Sequence, residues 1–170
     1  MITDKYRVDD KVALIVGSAM GQGKAIALAL AEAGADVALA DIETKGLEQV
    51  IEEVRKLGRQ ALAITTDVCQ EDQVKKAVEQ TVSQFGRIDI LSYNVGIVLS
   101  APVAYIPGVK FPGWENTQGN WDKPMTLKQW HKVMDTNLTG AFLFAQAVGP
   151  HMLKQKNGKV VMISSISAEE

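Results

Sequence analysis

Lys11-Val12-Ala13-Leu14-Ile15-Val16-Gly17 runs straight into Ser18-Ala19-Met20-Gly21-Gln22-Gly23, an apolar stretch of strand length followed by a turn of the form G-x-x-x-G-x-G. An unbroken apolar run of this length suits a strand buried on both faces. Gly21 to Ala33 continues as an Ala-rich helical stretch, and Gly34 stops it. In a strand–turn–helix of this kind Gly17 allows the sharp turn, Gly21 lets backbone approach a pyrophosphate, and Gly23 lets the helix pack closely on the strand. The helix N–H groups and dipole, with Ser18, Met20 and Gln22 around them, would then face the phosphates of a dinucleotide. The alternative is a glycine-rich turn that binds nothing, and the surrounding sequence has to separate the two.

Moving outward, strand and helix periods alternate. Asp36 to Asp41 reads as a second strand and Thr44 to Leu57 as an amphipathic helix with Leu47, Val50, Ile51 and Val54 on one face, closed by Gly58. Gln60 to Thr66 is a third strand, Gln70 to Phe85 a helix ended by Gly86, and Ile88 to Tyr93 a fourth strand. Leu99 to Met125 breaks the rhythm: it holds four of the five prolines together with Tyr105, Phe111, Trp114 and Trp121. This inserted loop reads as a substrate lid or subunit contact, or as a loop folded onto its own body. Thr126 reads as the N-cap of a long helix from Leu127 to about Val148, and Lys159 to Ser165 is a fifth strand. Strands separated by helices need right-handed crossovers, so the expected class is α/β, a doubly wound, Rossmann-like parallel sheet in the order 3-2-1-4-5. Residues 1–170 are read as one domain.

The composition excludes several functions. The chain has 170 residues, 46% of them hydrophobic and 22% charged, with a formal net charge of −2. It lacks the clustered Lys and Arg needed to neutralise nucleic-acid phosphates, so no nucleic-acid partner is expected. Its apolar runs are strand-sized and its first ten residues have no signal-peptide core, so neither a membrane span nor export is expected. The single cysteine, Cys69, and two histidines form no metal-ligand cluster, and a lone cysteine fits a reducing cytoplasm. No metal site is anticipated.

Residues just after each strand are where a doubly wound fold collects ligands. Asp41 ends the second strand 24 positions after Gly17. An acid there accepts hydrogen bonds from the adenosine ribose and repels a 2′-phosphate; Ile42 follows it in place of an Arg, so NAD(H) is expected in preference to NADP(H). The same Asp would also suit a cap on the turn leading to Thr44.

These motifs, in this order, resemble the short-chain dehydrogenase/reductase family over almost the whole chain. Gly17, Gly21 and Gly23 match its cofactor loop; Asp67-Val68 matches the pair it places against adenine; Tyr93-Asn94-Val95-Gly96 matches its Asn-Asn-Ala-Gly. Asn137, within Met134-Asp135-Thr136-Asn137-Leu138-Thr139-Gly140, stands where the family keeps a helix-borne Asn, and the stretch from Gly158 to Ser165 looks like its serine-bearing strand. The resemblance implies oxidoreduction between a secondary alcohol and a ketone with a nicotinamide cofactor. Asp67, Val68, Asn94, Val95 and Gly96 would join the glycine turn in binding it. Ser165 would hold the substrate oxygen and Asn137 a water in a proton relay. Homotetramers built on the long helices are common in the family.

Departures from the family pattern are equally informative. Val16 replaces the usual Thr, Tyr93 replaces the first Asn of Asn-Asn-Ala-Gly, and Cys69 occupies the expected cap of the third helix, as a weak cap, a buried thiol or a reactive one. The proton-transferring Tyr-x-x-x-Lys of the family is absent: Tyr6 is followed four positions later by Asp10, Tyr93 by Ile97 and Tyr105 by Val109. Two readings follow. The chain is the N-terminal part of a longer oxidoreductase, inactive by itself and lacking the sheet's C-terminal side; or it is a non-catalytic NAD(H)-binding or interaction module.

Overall fold

The computed structural model describes residues 4–104, 106–108 and 123–165. Phe111, Trp114 and Trp121 of the inserted loop, and Tyr105, lie outside the described residues.

Five strands, β1 (Val12–Val16), β2 (Asp36–Asp41), β3 (Ala61–Thr65), β4 (Ile90–Tyr93) and β5 (Lys159–Met162), form one sheet in the order β3-β2-β1-β4-β5. Every pairing is parallel. The crossovers carry α1 (Gly21–Glu32), α2 (Thr44–Lys56) and α3 (Glu71–Phe85); α4 (Leu127–Met134), a π turn (Asp135–Thr139) and α5 (Gly140–Gln155) precede β5. The doubly wound sheet is the one anticipated.

β1 lies at the centre and is buried along its whole length. Its apolar run is continuous because both faces need filling. Ala13 and Ile15 pack with Val37 and Leu39 against Ala27, Leu47 and Val50 of α1 and α2. Leu14 and Val16 pack on the other face with Ala77 and Val78 of α3 and Phe144 and Val148 of α5. Burying one such aliphatic side chain contributes roughly 1.5–3 kcal/mol, so the two layers hold the sheet flanked on both sides.

Gly34, Gly58 and Gly86 all take positive φ where a helix gives way to the next connection, as their placement at helix ends predicted. Thr126 caps α4 in a complete capping box with Gln129. Three local expectations need correction. Gln70 is the N-cap residue of α3, not Cys69, because Asp67 Oδ1 accepts a hydrogen bond from the Cys69 N–H at 2.9 Å and turns the chain one residue later. The helix after the loop continues to Gln155 rather than ending near Val148, passing through Pro150, since its apolar stripe extends to Met152 in the core. β5 stops at Met162 instead of Ser165, because its partner β4 ends at Tyr93, the residue opposite. β5 is an edge strand, and Val160, Val161 and Met162 are 49%, 48% and 44% exposed. Neighbouring residues of a strand point to opposite faces, so both faces are open here.

Candidate functional site: a cleft at the carboxyl ends of the strands

A cleft of about 660 Å³ opens where the chain leaves β1, β2, β3 and β4, at the switch point beside β1. Gly17, Met20, Gly21, Gln22 and Gly23 form one wall. Gly17 has φ +76° and Gly21 +57°, the left-handed region that disfavours side chains. A Cβ on Gly17 would stand 2.9 Å from Val95 Cγ2, and one on Gly23 only 1.8 Å from the Gly17 carbonyl oxygen. Gly23 therefore closes the turn on itself, a tighter constraint than the helix–strand packing its spacing suggests. Around Gly21 no atom lies within 4 Å of such a Cβ, leaving room for a ligand to approach. Met20 offers α1 no side-chain cap, so the first N–H groups of the helix keep donors for an anion. Ser18, expected with these residues, does not line the cleft: it is fully buried, its hydroxyl 3.4 Å from the Ala40 carbonyl.

Asp41 and Ile42 form the next part of the wall, with Glu43. The Asp41 carboxylate accepts from the Ala19 N–H at 2.9 Å with one oxygen and from the Glu43 N–H at 3.0 Å with the other. It ties the glycine turn to the end of β2 while each oxygen retains a lone pair for a ligand hydroxyl. Asp41 thus caps the turn toward Thr44 and also lines the cleft.

Thr66, Asp67, Val68 and Cys69 line the cleft after β3. Asp67 is held by two bonds, its N–H donating to Gln73 Oε1 at 2.8 Å and its Oδ1 accepting from Cys69. After β4 come Asn94, Val95 and Gly96. The Asn94 amide donates to the carbonyls of Val16 at 3.0 Å and Ser92 at 3.1 Å, joining the ends of β1 and β4.

Across the opening stands the π turn. Thr136 and Lys132, one helical turn apart, reach the cleft. Asn137 does not line it; its carboxamide exchanges 2.9 Å hydrogen bonds with the N–H and carbonyl of Ile97. Tyr93 is buried with its hydroxyl donating to the Thr136 carbonyl at 2.6 Å. Burial, and secondarily the nearby Cys69, push its phenol pKa well above 10.0, so it stays a neutral donor. Ser165 lies three residues past β5, exposed, outside the cleft.

The sequence reading passed over Glu43, Thr66, Cys69, Ile97, Lys132 and Thr136 as cleft residues. Thr66 and Glu43 flank strand ends and carried a positional signal; Lys132 and Thr136 come from a helix remote in sequence and carried none. Among the described residues no group of three His, Cys, Asp or Glu could hold a metal ion, and no helix is long and apolar enough to cross a membrane.

The family model for short chain dehydrogenases matches residues 11–170. The chain belongs to that family. A 3-oxoacyl-[acyl-carrier-protein] reductase of Staphylococcus epidermidis is 36% identical over 158 residues, 92% of this chain and 57% of the relative. Another of that name from Thermotoga maritima is 34% identical over 160 residues, 94% of this chain and 57% of its own. Among solved structures, a 7α-hydroxysteroid dehydrogenase complexed with NADH and 7-oxo glycochenodeoxycholic acid superposes with a TM-score of 0.81 at 29% identity, covering 100% of this chain and 59% of that one. A short-chain type dehydrogenase/reductase from Mycobacterium marinum gives 0.77 at 32% identity, with coverage of 99% and 62%. This short-chain dehydrogenase chain therefore spans about 57% of the curated relatives it matches.

Proposed function

We propose that the cleft binds NAD(H), and that the chain is the cofactor-binding part of an oxidoreductase interconverting a secondary alcohol and a ketone. The observation that carries this is one continuous wall: the uncapped N-terminus of α1 behind the glycine turn, and the Asp41 carboxylate fastened to that turn through the Ala19 N–H. A pyrophosphate suits the first end and a ribose diol the second. When bound, the nicotinamide group supplies a hydride acceptor or donor.

In this reading the protein's own groups divide the remaining work. The Asp41 charge, with Glu43 beside it and no Arg following, disfavours a 2′-phosphate. Ser165 donates a hydrogen bond to the substrate oxygen. Asn137 holds a relay water with the amide hydrogen or lone pair that its bonds to Ile97 leave over. Proton transfer needs a Tyr with a Lys four positions on, which these 170 residues lack, so residues 1–170 alone bind NAD(H) without turnover. An assembly of identical chains belongs to the proposal too, resting on Trp130, Leu138 and Phe142, which are 49%, 60% and 58% exposed along the α4–α5 rod.

Calorimetric titration of the 170-residue chain with NADH and NADPH tests this. NADH should bind and NADPH should bind at least tenfold more weakly, on the order of the discrimination one misplaced charge gives. Absence of binding by either, or equal binding of both, would overturn the assignment.

A further inference from the structure

Tyr93, the last residue of β4, sends its side chain out of the sheet to the backbone of the π turn. Its neighbours in the sheet are Val16 of β1 and Met162 of β5. The ring packs 6.1 Å from that of Phe144, and the hydroxyl reaches the carbonyl of Thr136, 43 positions later, at 2.6 Å. Thr136 belongs to the π turn Asp135–Thr139. A π turn shifts the helical bonding pattern and leaves backbone groups in need of other partners. The phenol supplies one.

The surroundings are shaped to admit that phenol. A Cβ on Gly140 would stand 2.5 Å from the Tyr93 hydroxyl oxygen and 3.0 Å from Val68 Cβ, so a side chain at 140 would force the helix away from both. The Thr136 hydroxyl also lies 3.5 Å from Cys69 Sγ. Both Thr136 and Cys69 line the cleft. The next residue, Asn137, locks to the backbone of Ile97, which lines the cleft as well.

We propose that Tyr93 is a positioning residue of the cleft: from the end of β4 its hydroxyl sets the π turn, and the turn in turn presents Thr136 beside Cys69 and Asn137 to Ile97. The part of the inference concerning ligand affinity rests on the NAD(H) reading above; the part concerning the turn does not. Through the turn Tyr93 reaches Cys69 after β3, on the side that in that reading receives adenosine, and Ile97 after β4.

The test compares wild type, Tyr93→Phe, Asn137→Ala and the double variant of the full 170-residue chain. In the ligand-free protein, Tyr93→Phe should speed exchange of the Ile97 amide on the order of tenfold, the scale of one lost hydrogen bond. Exchange of the Leu14 and Ile15 amides in β1 should stay unchanged. ADP should bind about fivefold more weakly to Tyr93→Phe while nicotinamide mononucleotide binds as before, and the double variant should be no worse than Asn137→Ala alone. Unchanged exchange at Ile97, or exchange rising equally in β1, would overturn the inference, as would ADP affinity equal in wild type and Tyr93→Phe. If wild type binds no ADP, the NAD(H) reading fails and Ile97 exchange still judges the turn.

Discussion

Asn137 and Ile97 exchange two hydrogen bonds of 2.9 Å, the carboxamide of a helical residue pairing with a backbone N–H and carbonyl as a neighbouring strand would. The bond fastens the π turn to the segment leaving β4, across the mouth of the cleft. Replacing Asn137 with Ala should cost about 1 kcal/mol of stability, since the groups it releases reach water. It should also weaken NADH binding several-fold. Denaturant melts and NADH fluorescence titrations of the same samples read both; unaltered binding would confine the residue to stability.

Glycines of the turn should not be equivalent. Gly23→Ala places a methyl 1.8 Å from the Gly17 carbonyl oxygen, and backbone cannot yield that far, so NADH binding should be lost and Tm should fall by several degrees. Gly21→Ala meets no atom within 4 Å and pays only for its φ of +57°, about 1–2 kcal/mol. Thermal melts with and without NADH would show the difference.

Asp41→Asn keeps an acceptor for one of the two backbone N–H groups and removes the charge. NADPH affinity should rise relative to NADH by about tenfold, and Ile42→Arg added to it should raise the ratio further. Competitive titration with the two cofactors gives the ratio directly; a ratio that does not move would remove electrostatics as the source of preference.

Tyr93 couples stability to alkaline pH. Its folded pKa is raised above the ordinary 10.0, so above pH 10 the unfolded chain releases its proton first and the folded state loses stability as pH rises. Tyr93→Phe should flatten that loss between neutral pH and pH 11. Urea midpoints over this range measure the slope.

β5 exposes Val160, Val161 and Met162 on an open sheet edge, a surface that attracts hydrophobic dyes and further strands. The 170-residue chain should bind such a dye under native conditions. Val160→Thr with Val161→Thr should reduce the signal by half or more, roughly in proportion to the apolar area removed, while leaving Tm within a few degrees.

Much of this protein follows from the sequence alone. The alternation of strand and helix periods, the glycines ending helices and the G-x-x-x-G-x-G turn after β1 prescribe a doubly wound parallel sheet, and the residues following each strand, Asp41, Asp67 and Asn94 among them, arrive at its cleft. These are local signals: a period or a left-handed turn is written within a few neighbouring residues. Tertiary structure alone decided the contacts between distant segments. Ser18 turns inward to Ala40 because β2 lies beside β1; that Thr136 and Lys132 join the cleft wall, that Asn137 meets Ile97 and that Tyr93 reaches Thr136 depend on how far α4, the π turn and α5 lie over the end of β4. No period in the chain encodes that distance, which is set by side-chain volume across the layers, Gly140 against Tyr93 and Val68 above all.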